Sequence, residues 1–209
     1  MQKQFKAVVS QRIDFFAQRN ETRDSLDQNL IRWLVTANVL PFVVSNIFSD
    51  SIEVLNAWLG VIQPQLVILS GGNDIGVYTT RDKTETFLLN WAQANKLPLL
   101  GICRGMQMVS VWAGESLVSA PNHVGQHLLI KDKSAEDQDL PESVNSYHNY
   151  SLRNVPNGFK PLAWSEDGYL EAMKHKELPW ECWMWHPERE NPFHECEINR
   201  LKRLLNENA

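Results

Sequence analysis

The sequence has no excess of positive charge, few cysteines and no long apolar run. Its 25 acidic and 20 basic residues give a formal net charge of −5, so the basic surface of a nucleic-acid-binding protein is not expected. No stretch approaches the roughly 18 consecutive apolar residues that a membrane span needs. Residues 1–6 show neither the apolar segment nor the cleavage site of a signal peptide. These absences predict a cytoplasmic protein that binds neither nucleic acid nor membranes.

Cysteine occurs only three times, at Cys103, Cys182 and Cys196. The number is odd and no two cysteines have C-x-x-C spacing, which argues against a disulfide framework, a zinc ribbon and a redox pair. Two interpretations remain. Either one thiol is catalytic and the other two are bystanders, or all three are small buried hydrophobic side chains.

The hydrophobic pattern indicates the fold class. The chain has 209 residues, of which 43% are hydrophobic, and this predicts one domain over residues 1–209. Up to residue 114, short apolar runs alternate with segments of helical periodicity, which is typical of an α/β fold with a parallel sheet. After residue 114 the pattern predicts strands with little helix between them, and then a final helix over about residues 194–206. We therefore expect a mostly parallel central sheet flanked by helices, with an antiparallel C-terminal portion.

A segment of the form strand, Gly-x-Cys-x-Gly, helix surrounds Cys103. A nucleophile on a sharp strand-to-helix turn needs small neighbours two positions away on each side, and Gly101 and Gly105 stand there. The turn places the thiol at a helix N-terminus, where the helix dipole favours a thiolate. The backbone N–H of Arg104 is then a candidate donor to an oxyanion.

The pair Gly71-Gly72 ends another predicted buried strand. Ligand sites of open α/β sheets form at the carboxyl ends of the strands, and glycine lets a backbone approach a ligand closely. Gly72 is therefore a candidate for the second oxyanion donor. An ordinary tight turn is the alternative interpretation.

A catalytic thiolate needs a histidine, and the histidine needs a group that orients it. His186 follows an apolar, tryptophan-rich strand in the segment Trp185-His186-Pro187-Glu188. Residues i and i+2 of an extended chain face the same side, so Glu188 is expected to hold the imidazole of His186. A structural role for a lone histidine after a strand is the alternative.

No metal or other cofactor is expected. His123 and His127 are four residues apart, but Gly125 between them argues against a metal-binding helix, and the sequence suggests no third ligand.

Four ordered segments resemble the class I glutamine amidotransferase superfamily, in its γ-glutamyl hydrolase-like branch. The resemblance covers about residues 66 to 190 and implies the flavodoxin-like fold of that superfamily. This chain departs from the family at Tyr147-His148-Asn149-Tyr150, where His-His-Gln is common, and at Met184, where glutamine is common. The matching segments are Gly71-Gly72-Asn73-Asp74, Gly101 to Gln107, Val144 to His148, and Trp185 to Glu188.

The resemblance implies a Cys–His–Glu triad of Cys103, His186 and Glu188. It also implies backbone oxyanion donors at Gly72 and Arg104. Substrate contacts implied for the glutamyl group are Gly71, Gln107, Asn145, Ser146, Tyr147 and His148. The reaction implied is hydrolysis of a γ-glutamyl amide through a γ-glutamyl thioester, which releases glutamate.

Three functions stay open at this point. Since 209 residues leave no room for a fused synthase, a free-standing hydrolase of small γ-glutamyl substrates is favoured. A glutaminase subunit that delivers ammonia to a separate synthase is the first alternative, and a non-catalytic binding module is the second. The sequence leaves a homodimer open.

The N-terminal region offers a narrower hypothesis. The stretches Ser10 to Asp14 and Asn20 to Asp24, of which the second is expected to open the first helix, are similar to those of γ-glutamyl-CDP-amidate hydrolases of surface-polysaccharide phosphoramidate synthesis. Arg12 and Arg23 are then candidates to contact an anionic leaving group, since guanidinium pairs well with phosphate. The alternative is that both arginines are solvated surface residues.

Overall fold

A computed structural model of the chain describes residues 4–121, 123–135 and 139–206. The helices are α1 (Gln28–Thr36), α2 (Ile52–Ile62), α3 (Thr79–Ala94), α4 (Arg104–Trp112) and α5 (Glu195–Asn206). The strands are β1 (Phe5–Val9), β2 (Arg12–Phe16), β3 (Glu21–Ser25), β4 (Val39–Val43), β5 (Leu66–Leu69), β6 (Leu99–Ile102), β7 (Val118–Ser119), β8 (Val124–Leu128), β9 (Ile130–Lys131), β10 (Ser143–Tyr147), β11 (Tyr150–Ser151), β12 (Phe159–Trp164), β13 (Leu170–His175) and β14 (Trp180–Trp183).

Eight strands form the central sheet, in the order β4-β1-β5-β6-β14-β13-β12-β9. The pairs from β4 to β14 are parallel, and β13, β12 and β9 continue the sheet with antiparallel pairs. The predicted α/β fold with an antiparallel C-terminal portion is therefore confirmed. Pro41 is accommodated because β4 lies at the edge of the sheet, where one side needs no ladder hydrogen bonds.

Helices cover both faces of this sheet, and the strand sequences alternate accordingly. In β5, Leu66 and Ile68 pack on the face covered by α1 and α5, whereas Val67 and Leu69 pack on the face covered by α2, α3 and α4. Strands buried on both faces read as continuous apolar runs, which is why β5 and β6 were recognisable in the sequence. No helix in the described part of the chain is both long and apolar enough to cross a membrane.

Two local predictions are wrong. The segment Asn20 to Asp24 does not open the first helix, because residues 21–25 form β3 and pair with β2 in an antiparallel hairpin. Helix α1 instead begins at Gln28, with Asp27 as the N-cap that accepts a hydrogen bond from the Asn29 N–H at 2.8 Å. Asp82, predicted as the N-cap of α3, lies inside the first turn of that helix. Both polar side chains make tertiary contacts instead, Asp24 with Asn46 and Asp82 with Arg104.

Candidate active site

Three loops meet at the carboxyl end of the parallel strands. Strands β5, β6 and β14 are neighbours in the sheet, and the register pairs Leu69 with Gly101 and Ile102 with Trp183. Because the strands are parallel, the residues that follow them lie at one edge. Cys103 follows β6, and the Gly71-Gly72 loop and His186 lie just beyond β5 and β14, so the fold brings all three segments together.

Cys103 occupies a strained turn between β6 and α4. Its backbone has φ 50° and ψ −106°, a conformation rare for a residue with a side chain. The Cys103 N–H donates to the Trp183 carbonyl at 2.7 Å, which ties the turn to β14. Cys103 directly precedes Arg104, the first residue of α4, whose N–H is among the helix donors that lack an intrahelical partner. The thiol therefore lies beside a free backbone donor, as the sequence pattern predicts.

Gly101 and Gly105 are required by close packing. A Cβ at Gly105 would lie 2.1 Å from the Leu69 carbonyl oxygen, and a Cβ at Gly101 would lie 3.0 Å from the backbone of Gly105. Both clashes involve main-chain atoms of neighbouring elements, which cannot rotate away. The two glycines therefore let α4 start directly against β5, and this contact fixes the position of Cys103.

His186 lies between Cys103 and Glu188. Its Nδ1 is 2.7 Å from Glu188 Oε1, and its imidazole also hydrogen-bonds the Cys103 thiol. All three side chains are buried. Burial alone would lower the pKa of His186, but the hydrogen bonds and negative charges of Cys103 and Glu188 outweigh it and raise the pKa to about 9. The imidazole is therefore protonated at neutral pH and has a proton to give.

The backbone of His186 is held by Asn145. The Asn145 Nδ2 donates to the His186 carbonyl at 2.8 Å, and the Asn145 Oδ1 accepts from the His186 N–H at 3.0 Å. Nδ2 also donates to Glu190 at 2.7 Å. The predicted contact of Asn145 with a substrate stays a prediction, since its amide is occupied by these partners. A role in positioning His186 is the direct geometric consequence.

The other predicted substrate residues lie at different distances from the thiol. The half-exposed Tyr147 ring packs edge-on against His186, with centroids 5.8 Å apart. Gln107 donates to the Tyr150 carbonyl at 2.8 Å, and among the described residues its buried Oε1 has no hydrogen-bond partner. Ser146 is buried and donates to the His123 carbonyl at 2.8 Å.

His148 points away from the triad, towards His123. Burial, and next the charges of His123 and His127, lower the pKa of His148 to about 3, so its ring is neutral. The structure therefore groups Tyr147 and Gln107 with the site but gives Ser146 and His148 other partners.

The Gly71-Gly72 loop adjoins both His186 and Arg12. A Cβ at Gly71 would lie 2.5 Å from His186 Cε1, and a Cβ at Gly72 would lie 2.7 Å from Arg12 Cβ. Gly72 also has φ 129°, a backbone conformation that favours glycine. The loop can therefore bring its backbone close to a ligand at Cys103, as the predicted oxyanion role requires.

A buried ionic network supports this loop and was not foreseen from the sequence. Arg81 donates to the carbonyls of Ser70 and Gly71 at 2.7 and 3.0 Å and to Glu85 at 3.0 Å. The Arg104 side chain also pairs with Glu85, so one buried carboxylate joins the loop to the start of α4. A signal was present, since Arg81 and Glu85 lie on α3 at helical spacing from the buried Leu88 and Ala92. Charged residues that continue a buried stripe usually have partners.

Arg12 and Arg23 both lie on the hairpin formed by β2 and β3. The hairpin is fastened beside the glycine loop by Asn73, whose side chain bonds the Ile13 N–H and carbonyl at 2.8 and 2.9 Å. Arg12 pairs with Asp14 at 2.8 Å and is half exposed next to Gly72. Arg23 is engaged by Glu21 through two hydrogen bonds and stacks over the Phe16 ring. Arg12 is thus the arginine adjacent to the site.

Comparisons with known proteins agree with this geometry. A family model described as glutamine amidotransferase class-I matches residues 20–202. The chain is 34% identical over 138 residues to a gamma-glutamyl-CDP-amidate hydrolase of Campylobacter jejuni subsp. jejuni serotype O:2, a match that covers 63% of this chain and 66% of that protein, just under two thirds.

Further relatives include the glutamine-hydrolyzing subunit of a GMP synthase from Methanococcus aeolicus, 31% identical over 136 residues, or 63% of this chain and 69% of that protein. The fold is similar to that of a solved protein from Thermoplasma acidophilum, described provisionally as a GMP synthase subunit. The TM-score is 0.72 at 21% identity, and the likeness covers 100% of this chain and 97% of the other.

Proposed function

Because the chain belongs to the class I glutamine amidotransferase family, whose members hydrolyse glutamine or other γ-glutamyl amides, we propose that it is a cysteine hydrolase of a γ-glutamyl amide. One observation carries the proposal. The strained Cys103 turn at the start of α4 places a thiol against a buried imidazole that Glu188 holds at 2.7 Å. This arrangement suits nucleophilic acyl transfer.

The proposed reaction proceeds in two halves. Cys103 Sγ attacks the γ-carbonyl carbon, and the backbone N–H groups of Arg104 and Gly72 stabilise the resulting oxyanion. The C–N bond breaks as His186 gives its proton to the leaving amine, which leaves a γ-glutamyl thioester on Cys103. His186, now neutral, takes a proton from water, whose oxygen attacks the thioester. Glutamate leaves, and the protonated imidazole and the thiolate are restored.

Glutamate release tests this proposal directly. The purified chain is incubated with γ-glutamyl amides whose leaving amines are neutral, acidic or phosphorylated, and with glutamine, and glutamate is measured. We expect turnover of at least one γ-glutamyl amide. If no such compound yields glutamate, a binding module on the same fold becomes the better description.

The relatives support a second candidate, a glutaminase subunit that supplies ammonia to a separate synthase. Its support is the 31% identity to the glutamine-hydrolyzing subunit of a GMP synthase. The two candidates differ in substrate preference. The hydrolase hypothesis predicts a higher kcat/KM for a γ-glutamyl amide with a larger leaving amine than for glutamine, whereas a glutaminase subunit would favour glutamine and gain rate in the presence of a synthase.

The pH dependence of kcat/KM should report the state of His186. We expect activity to persist at neutral pH and to fall as the pH rises through about 9, since the imidazolium that protonates the leaving amine is then lost. In Glu188→Gln the amide oxygen can still accept the Nδ1 hydrogen, but the carboxylate charge that raises the pKa of His186 is gone. The alkaline limb should therefore move down by about one pH unit or more.

A pH–rate profile of Glu188→Gln beside wild type measures this shift. Glu195→Gln, which removes an exposed carboxylate at the start of α5, is the matched control and should keep the wild-type limb. An alkaline limb at the same pH in Glu188→Gln and wild type would show that Glu188 does not tune His186.

We further propose that the leaving amine carries a phosphate group, as in the substrate named for the Campylobacter relative. The support is Arg12, which lies half exposed beside Gly72 with only the surface carboxylate of Asp14 as its ion-pair partner among the described residues. A ligand phosphate could exchange with that carboxylate. Arg23 is held by Glu21 and Phe16 and is expected to contribute less.

The prediction for Arg12→Ala is selective. It should lower kcat/KM by about 10-fold or more on a phosphorylated γ-glutamyl amide, because a charge-assisted hydrogen bond is lost, and should leave a neutral γ-glutamyl amide almost unaffected. Arg23→Ala on the same hairpin is the control and should have the smaller effect. Equal losses of Arg12→Ala on both substrates would contradict a phosphate contact.

A further inference from the structure

A second buried polar cluster lies outside the proposed triad. His123 and His127 come from the start and the body of β8, His148 follows β10, and Glu171 lies on β13. Glu171 Oε2 is 3.5 Å from His127 Nε2, and Glu171 Oε1 is 3.9 Å from both His123 Nδ1 and His148 Nε2. One atom each of His123, His148 and Glu171 lies within 4.8 Å of the others. Four side chains from three separate segments therefore converge on one point.

The cluster leaves its polar atoms without partners. The Glu171 side chain is 0% exposed, and neither of its oxygens has a hydrogen-bond partner among the described residues. Within the same described set, the facing nitrogens of His123, His127 and His148 also lack one. A buried carboxylate that is neither paired nor hydrogen-bonded costs several kcal/mol. Such a group points to a cation or a proton that completes the site.

The distances suit a transition metal better than direct hydrogen bonds. Zinc bonds imidazole nitrogen and carboxylate oxygen at about 2.0–2.2 Å, so two ligand atoms on a tetrahedron lie about 3.4 Å apart. The observed 3.5 and 3.9 Å exceed a good hydrogen bond but need to contract by only a few tenths of an ångström to meet one ion. Three imidazoles and one carboxylate form a donor set that zinc accepts.

The surroundings of His123 match those of a metal ligand. Its Nε2 lies 3.0 and 3.2 Å from the two carboxylate oxygens of Asp167, while its Nδ1 faces Glu171. A carboxylate on the far nitrogen is the usual device that fixes the orientation of a ligating histidine. A surface cavity of about 350 Å³, lined by His123, His127 and Asp167 among others, gives an ion access.

Glu171 reaches this position through an irregularity in the sheet. In the pairing of β12 with β13, Trp164 opposes Leu170 and Ala163 opposes Ala172, so Glu171 has no opposite residue. Such bulges redirect a side chain, often beside functional sites. The bulge turns this glutamate into the sheet interior, where an uncharged residue would otherwise be expected.

We propose that His123, His127, His148 and Glu171 bind one divalent transition-metal ion, zinc by the chemistry of the donor set. The ion joins the β8–β10 pair to β13. The segment that carries Asn145, which clamps the His186 backbone, lies on β10. The metal therefore acts as a structural fastening of the wall behind the proposed catalytic histidine and takes no part in the reaction. The fold supplies the third ligand that the sequence did not suggest for His123 and His127.

Metal content tests this assignment independently of catalysis. The full chain is stripped with a chelator, titrated with zinc, and its bound zinc is measured after gel filtration. We expect about one zinc ion per chain. Glu171→Gln and His148→Gln should each weaken binding by about 100-fold or more, since each removes a ligand. Asp167→Asn should weaken it by about 10- to 100-fold through loss of the outer carboxylate.

Two controls separate this site from others. Cys103→Ala removes a competing site at the thiol and should keep full zinc binding, as should His194→Gln, whose ring is not part of the cluster. If Glu171→Gln does not fold, the half-buried His127→Gln replaces it, with circular dichroism of the stripped protein as the check. Zinc binding that survives both Glu171→Gln and His127→Gln, or that disappears with Cys103→Ala, would overturn the proposal. A metal-free wild type would do the same and would point to a protonated Glu171 instead.

Discussion

Cys103→Ala is expected to lower the rate of glutamate release by about 10⁴-fold or more, because no thioester can form without the sulfur. The fold should survive the change, since alanine fits the space of the buried thiol and keeps a Cβ in the turn. Its backbone, at φ 50°, is strained in both proteins. The loss should therefore appear in kcat, while the circular dichroism spectrum stays that of wild type.

Cys196→Ala is the matched control for this experiment. Cys196 is the half-buried cysteine in the first turn of α5, and its thiol belongs to neither the β6 turn nor the His186 loop. We expect it to retain wild-type turnover. Substantial glutamate release by Cys103→Ala would refute the assigned nucleophile, and an equal loss in Cys196→Ala would assign the effect to stability.

Gly105→Ala is expected to destabilise the protein by about 3 kcal/mol or more, a cost at the upper end for overpacking a rigid core. The added Cβ would lie 2.1 Å from the Leu69 carbonyl oxygen and 2.9 Å from the Leu69 Cβ. Either α4 moves away from β5 or the sheet deforms. The first response also shifts Cys103, so activity should fall further than the loss of folded protein explains.

Gly60→Ala provides the contrast for this prediction. Gly60 lies in α2, is exposed, and an added Cβ would meet nothing within 4 Å. Alanine there should stabilise the helix by about 0.5–1 kcal/mol. Denaturant unfolding of both variants measures the difference. If Gly105→Ala unfolds at the wild-type denaturant concentration, α4 does not pack against β5 as closely as the structure shows.

Local pattern was sufficient for the main elements of the fold. The continuous apolar runs that became β5 and β6 are readable because a strand between two helical layers has no solvated face. The turn at Cys103 was readable because a sharp strand-to-helix turn demands small residues at two fixed positions. The hairpin of β2 and β3 was missed, since its pairing and its attachment to Asn73 depend on a distant loop.

The sequence by itself determined the chemistry that is available, namely one thiol in a strained turn, a histidine with a carboxylate two residues later, and a glycine pair after a buried strand. Only the tertiary structure decided which of these groups meet. Strand order placed the residues after β5, β6 and β14 at one edge, and it also brought Glu171 to His123 and His148. The reason is physical: spacing along a chain fixes which side chains share a face, but contact between distant segments depends on how strands pair.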